Sequence, residues 1–280
     1  MRTVIKGAAA AAVAAGSFAF ATSAFAAPVA IGNVTAEVSD VPSVISPPGL
    51  RYAYTGSGNP VTGGLFDTTR PAFVGDIGTL STGTVIDPGE RFQVTAATVA
   101  RVQGPTAGNA DIIFLLFDDV NPGAAAGTPV MSNLVGSARF SRTVAASTGA
   151  SVLTTGLTFS PGVFLTDATF GYAMLYVPTG STVNIATNGQ VTYTANTIGM
   201  TAFYQDRADT GEGSTTNGFY SDTNADGILD ASEFGAFAAP NDVKSNLFLS
   251  LSGEVVAIPE PASLSLLGLG ALGLVRRRRA

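Results

Sequence analysis

The sequence predicts an all-β protein built as an antiparallel β-sandwich of jelly-roll type. Three observations carry the prediction. Segments rich in β-branched and aromatic residues recur, either alternating with period two or as short unbroken apolar runs. The 33 Gly and 15 Pro interrupt the chain so often that long helices have no room in its body. No self-similarity of fixed period is present, which argues against a solenoid or propeller.

Taken in order, the body at 27–257 reads as about ten strands in one domain, ordinary for a sandwich of this length. Residues 43–64 are dense in Pro, Gly, Ser and Thr and read as a loop. Residues 91–102 alternate in part and are rich in Val and Thr, as a strand requires. Residues 111–118 form a continuous apolar run, closed by charge and by the turn Asn121-Pro122-Gly123. That pattern suits a central strand buried on both faces. Residues 169–177 make a strand stopped by Pro178, and residues 182–194 and 198–205 are expected as strands too. The last strand is expected over 246–256, alternating from Leu247 to Leu251 and running straight into the C-terminal tail.

The two ends read as targeting segments. Residues 1–26 begin with the basic stretch Met-Arg-Thr-Val-Ile-Lys, continue as an Ala-rich apolar run, and close on Ala24-Phe25-Ala26. Small residues at Ala24 and Ala26 form an A-x-A cleavage site, so this is expected to be a secretory signal peptide recognised by the Sec translocon. At the other end, residues 258–280 hold Pro259-Glu260-Pro261, an apolar run from Ala262 to Val275, and Arg276, Arg277, Arg278 and Arg279. The prolines make a stiff, extended stretch that a processing enzyme can grip. The run has 14 residues, whereas a spanning helix needs about 20, so it holds a membrane briefly or shallowly. The arginines favour the cytoplasmic side.

Within these 23 residues the tripeptide, the short apolar helix and the Arg cluster, in that order, resemble the PEP-CTERM sorting signal of Gram-negative bacteria. The resemblance implies export, transient retention in the inner membrane, and cleavage near Pro-Glu-Pro by an exosortase-type enzyme. It further implies a product at the cell surface or outside the cell, in the company of exopolysaccharide and biofilm matrix.

One segment of the body carries chemistry. Asp222-Thr223-Asn224-Ala225-Asp226-Gly227-Ile228-Leu229-Asp230-Ala231-Ser232-Glu233 matches the twelve-residue EF-hand calcium loop at each defining position. Asp222, Asn224 and Asp226 are the expected side-chain ligands, Ile228 lends its carbonyl, Asp230 binds directly or through water, and Glu233 closes the site with two oxygens. Gly227 permits the sharp turn, and Leu229 docks the loop on the core. Four carboxylates in twelve residues repel one another unless a cation joins them, and an oxygen-only set of this length favours calcium. Glycines before the loop exclude an entering helix, whereas residues 231–239 are expected as a short exiting one. The whole is an all-β sandwich with an inserted calcium-binding loop and a targeting helix at each end.

Composition limits what this body does. There is no Cys, His or Trp. Disulfides, thiol nucleophiles, imidazole general bases and the usual zinc or copper sites are therefore excluded. Without the terminal segments, 8 basic residues remain against 19 acidic ones, a net charge of −11 that repels nucleic acid. A carboxylate-only glycoside hydrolase would have to draw on Asp118-Asp119, Asp206, Asp209 or Glu212, all of which read as loop or turn charges. No S-x-x-K pattern surrounds Lys244 and Ser245. The expectation is a non-enzymatic surface or matrix protein, with a carbohydrate-binding module as the alternative. Tyr52, Tyr54, Tyr172, Tyr176, Tyr193, Tyr204 and Tyr220 are the rings available to stack on sugars, and an exposed row of them on one face would favour that alternative.

Overall fold

The computed structural model describes residues 29–30, 37–39, 50–54, 72–81, 84–103, 108–144, 151–186, 188–195, 200–202, 204–206, 214–215, 218–235 and 245–258. Both expected targeting helices lie outside them. Three strands come first: β1 (Val29–Ala30), β2 (Glu37–Ser39) and β3 (Leu50–Tyr54). Six longer ones follow: β4 (Phe73–Thr79), β5 (Glu90–Gln103), β6 (Gly108–Val120), β7 (Met131–Val144), β8 (Ser151–Leu165) and β9 (Thr169–Pro178). Short strands come next: β10 (Asn184–Ile185), β11 (Val191–Thr192), β12 (Met200–Ala202), β13 (Tyr204–Asp206), β14 (Ser214–Thr215), β15 (Phe219–Ser221) and β16 (Phe234–Gly235). β17 (Ser245–Leu247) and β18 (Leu249–Ala257) close the body.

Every strand pair among the described residues is antiparallel, and two large sheets result. The first runs β2-β8-β5-β18-β3, with β12 continuing the β18 side of β5 at Arg101–Gln103. The second runs β16-β15-β4-β9-β6-β7, with β14 also on β4. Two small sheets, β1-β10-β11 and β13-β17, complete the set. The expected all-β sandwich is present.

Period-two alternation sorts the core into two layers. Ile112, Phe114 and Leu116 of β6, with Phe170, Tyr172, Met174 and Tyr176 of β9, face the first sheet. There they meet Phe92, Val94, Leu157, Leu249 and Leu251. Ile113, Leu115 and Phe117, with Ala173, Leu175 and Val177, face the opposite way. Val130, Met131, Val183, Ile185, Val191, Tyr220 and Leu229 cover that outer face. The apolar run at 111–118 is thus buried on both faces, as its sequence predicted. Each large side chain buried this way contributes about 1.5–3 kcal/mol, so the covering segments are held firmly.

Several expectations need correction. Residues 182–194 are not one strand: Asn188 and Gly189 turn the chain between β10 and β11 into a hairpin. Gly189 has φ +87°, and a Cβ there would stand 2.0 Å from the Met131 carbonyl oxygen. The stretch 43–64 contains β3, which pairs with β18, so local Pro and Gly content misled. Residues 198–205 divide between β12 and β13, and the expected last strand is broken at Phe248 into β17 and β18. Asp118-Asp119 is not a turn but part of β6, and Asp118 is buried, accepting from Thr166 N–H (2.6 Å) and Oγ1 (2.7 Å). The exiting helix after the candidate loop is only a 3₁₀ turn at Ala231–Glu233, because Phe234 at once enters β16 and pairs with β15.

Candidate functional site

The acidic loop starts where β15 ends. β15 pairs with β4, and Asp222 N–H extends that ladder to the Phe73 carbonyl at 2.9 Å. Two left-handed residues then curl the chain, Ala225 at φ +59° and Gly227 at φ +78°. Asp222 Oδ1 accepts from Asp226 N–H (3.1 Å), and Oδ2 accepts from Gly227 N–H (2.9 Å). Asn224 Oδ1 accepts from Asp226 N–H (2.9 Å), and its amide donates to Asp226 Oδ2 (3.0 Å). Asp226 Oδ1 accepts from Ile228 N–H (2.9 Å). The short polar side chains take up the backbone donors of the tight curl, as such residues do in turns.

Two other segments of the chain, 127–130 and 191–193, pin the loop to the outer face of the second sheet. Val191 N–H donates to Gly227 O (2.8 Å), and Val130 N–H donates to Leu229 O (2.9 Å). Tyr193 Oη donates to Asp222 Oδ2 (2.8 Å). Leu229 is buried in the outer core, where its position in the sequence motif puts it. Asp230 caps the 3₁₀ turn through Ser232 N–H (2.7 Å) and Oγ (2.6 Å), and it accepts from Gly127 N–H on the facing loop.

Glu233 completes the loop, folding back so that its Oε1 accepts from Thr223 N–H at 2.8 Å. Its Oε2 is buried and has no hydrogen-bond partner. Burial pushes the Glu233 carboxyl above the usual carboxylate range; the Thr223 and Asn224 amides oppose this, and the Asp222 charge adds to it. Asp230 goes the other way, held low by the Ser232 hydroxyl and the Gly127 amide. Burial, then Asp222, pushes the Tyr193 phenol up.

The structure therefore gathers Asp222, Asn224, Asp226 and Glu233 along one curl and turns Asp230 toward Gly127. Among the described residues, no three acidic side chains converge as a metal cage, because the loop's own N–H groups take most of the oxygens. The loop's side chains offer only oxygen and amide groups, and one buried oxygen, Glu233 Oε2, lacks a partner. Tyr193, Val191, Val130 and Gly127 were not legible as parts of this site. They lie 29 to 103 residues from their partners, and no local signal marks them.

Other acidic and aromatic residues are placed differently. Asp111 is bound to Arg139, Ser141 and the Gly180 amide, which outweigh its burial and hold its carboxyl low. Tyr172, Tyr176 and Tyr220 are buried and Tyr193 is half-buried, so the described rings form no exposed row. The side chains of Tyr52, Tyr54, Tyr204 and Asp206 lie outside the described residues, as do Asp209, Glu212 and Lys244. So do Ala24, Ala26, Pro259, Glu260, Pro261, the apolar run and Arg276 to Arg279. Among the described residues no helix is long and apolar enough to cross a membrane.

β18 ends beside this tail. Ala257 pairs with Glu90, and Ile258 N–H donates to the Gly89 carbonyl at 2.7 Å. A family model described as the PEP-CTERM protein-sorting motif matches residues 257–279. The motif marks an exported protein processed by an exosortase-type enzyme. No curated protein and no solved structure matches the chain.

Proposed function

We propose that this exported chain is a non-enzymatic component of the cell surface or extracellular matrix, in the company of exopolysaccharide and biofilm. One calcium ion at the loop Asp222 to Glu233 fixes its outer layer. The sorting motif supports the destination. The buried, unpartnered Oε2 of Glu233 carries the calcium reading, since a buried carboxylate oxygen is costly unless something binds it.

Asp222, Asn224, Asp226, the Ile228 carbonyl and Glu233 would hold the ion, and Asp230 orders the turn that presents Glu233. The ion supplies charge neutralisation. The loop is fastened to β4, to the β11 segment and to the 121–130 segment, so a bound ion strengthens a clamp over the outer core. A sensor opens by moving paired helices, and here the loop is flanked by the strands β15 and β16. The non-enzymatic reading draws support from the absence of His and Cys and from the engagement of Asp111 and Asp118 in structural hydrogen bonds.

Two measurements test this. Intact mass of the protein from its native host should show loss of the first 26 residues and of the segment after Pro-Glu-Pro; a product that retains the four arginines overturns the sorting reading. Calorimetric titration with calcium should give a dissociation constant on the order of 10⁻⁴ to 10⁻³ M, abolished in Glu233→Gln. Absence of binding by the wild-type chain overturns the calcium reading.

A further inference from the structure

Strand β18 delivers the chain to the sorting motif without a spacer. Over Leu249–Ser252 it is paired on both sides, by β3 and β5, and Leu249 and Leu251 lie in the core. Its hydrogen bonding to the body continues through Ile258. Only Pro259, Glu260 and Pro261 then separate the folded body from the apolar run that starts at Ala262. The point of exit is fixed at the end of the sandwich where β5 begins and β8 leaves for β9. The segment before β5 lies there and carries Val85, which is 63% exposed, the largest value among the exposed large apolar side chains described.

We infer that in the membrane-held precursor this end of the sandwich, led by Val85 and the turn before Glu90, stands on the lipid surface. The inference rests on the sorting reading, because the occupant of the surface is the bilayer that holds the chain's own apolar run. From Ile258 to Ala262 the chain spans at most about 14 Å when fully extended. The polar layer of a bilayer takes about 6 Å of that, leaving Ile258 within roughly 8 Å of the membrane surface. The opposite end, at Thr179 and Gly180, lies about 30 Å away, the length of the nine residues of β18.

Attraction does not explain the contact. Asp87, Asp119 and Asp167 are exposed at the same end, and their charge opposes anionic lipid. The tether alone imposes the contact, so cutting the tail releases the body.

The chain contains no Cys, so Val85→Cys and Thr179→Cys each create one labelling point on an exposed residue. The full chain with its tail is labelled with a fluorophore and reconstituted in phosphatidylcholine vesicles that carry a headgroup-quenching lipid. Quenching should be several-fold greater at position 85 than at 179. A Gly-Ser spacer of about 20 residues after Ile258 should remove the difference. Equal quenching at the two positions without the spacer overturns the inference. A chain that does not float with the vesicles overturns the sorting reading, and this inference with it.

Discussion

Gly227→Ala isolates the packing of the acidic loop against its neighbours. At φ +78° any L side chain costs about 1–2 kcal/mol. The space is also closed, because a Cβ on Gly227 would stand 1.7 Å from the Val191 carbonyl oxygen, against the 3.0 Å below which real contacts do not go. Something must move by about 1.3 Å, the difference between those two distances. The neighbour is backbone, so β11 shifts, and the bond from Val191 N–H to Gly227 O is lost at about 1 kcal/mol. Partial unseating of Leu229 adds to this. The expected destabilisation is about 3–4 kcal/mol.

Gly89→Ala is the matched control. Its φ is +92°, but nothing lies within 4 Å of the added Cβ, so only the conformational cost of about 1–2 kcal/mol applies. Urea unfolding of both variants measures the difference, expected at about 2 kcal/mol, or roughly 4–8 °C in Tm for a body of this size. Equal destabilisation by the two substitutions would refute the close packing of the loop on β11.

Three further outcomes are expected. The Asp111 carboxyl is held low in the folded state, so its contribution to stability is present above its unfolded pKa and is lost as pH falls through the folded value. Asp111→Asn should therefore flatten acid unfolding followed by circular dichroism below about pH 4, and an unchanged acid limb would count against this ion pair. Tyr193→Phe removes one donor to Asp222 and should change calcium affinity by about five-fold, corresponding to about 1 kcal/mol, in calorimetric titration. Leu229→Ala should cost about 2–5 kcal/mol in urea unfolding, and a loss under about 1 kcal/mol would mean the loop is not seated in the outer core.

Much of this protein is written locally. The alternation in β5, the unbroken apolar run of β6 and the strand ended by Pro178 follow from short-range pattern, because side chains alternate faces whatever the partner strand is. The proline pair, apolar run and Arg cluster, in that order, marked a sorting tail at 258–280, and the motif match spans 257–279. The spacing of the acidic loop anticipated the left-handed Gly227 and the buried Leu229.

Other features depend on partners far along the chain. β8 is not among the strands expected from the sequence, and it carries Pro161 and Gly162, residues that weaken a strand. In the sheet they fall among the four residues opposite the single Thr95, where the ladder with β5 is irregular, the kind of place where proline is tolerated in a strand. β7 is mostly small and polar and becomes a strand because β6 offers it a long edge. β3 lies within a Pro- and Gly-rich stretch and is ordered by β18. Whether Asp118 is a free charge or a cap depends on Thr166, 48 residues away, and the surroundings of Asp222 depend on Tyr193. The sequence by itself determined that β5, β6 and β9 extend and that a sorting motif follows β18, because those rest on covalent geometry and local periodicity. Only the tertiary structure decided which polar atom meets which, because in an antiparallel sandwich those contacts are made by strands brought together from distant parts of the chain.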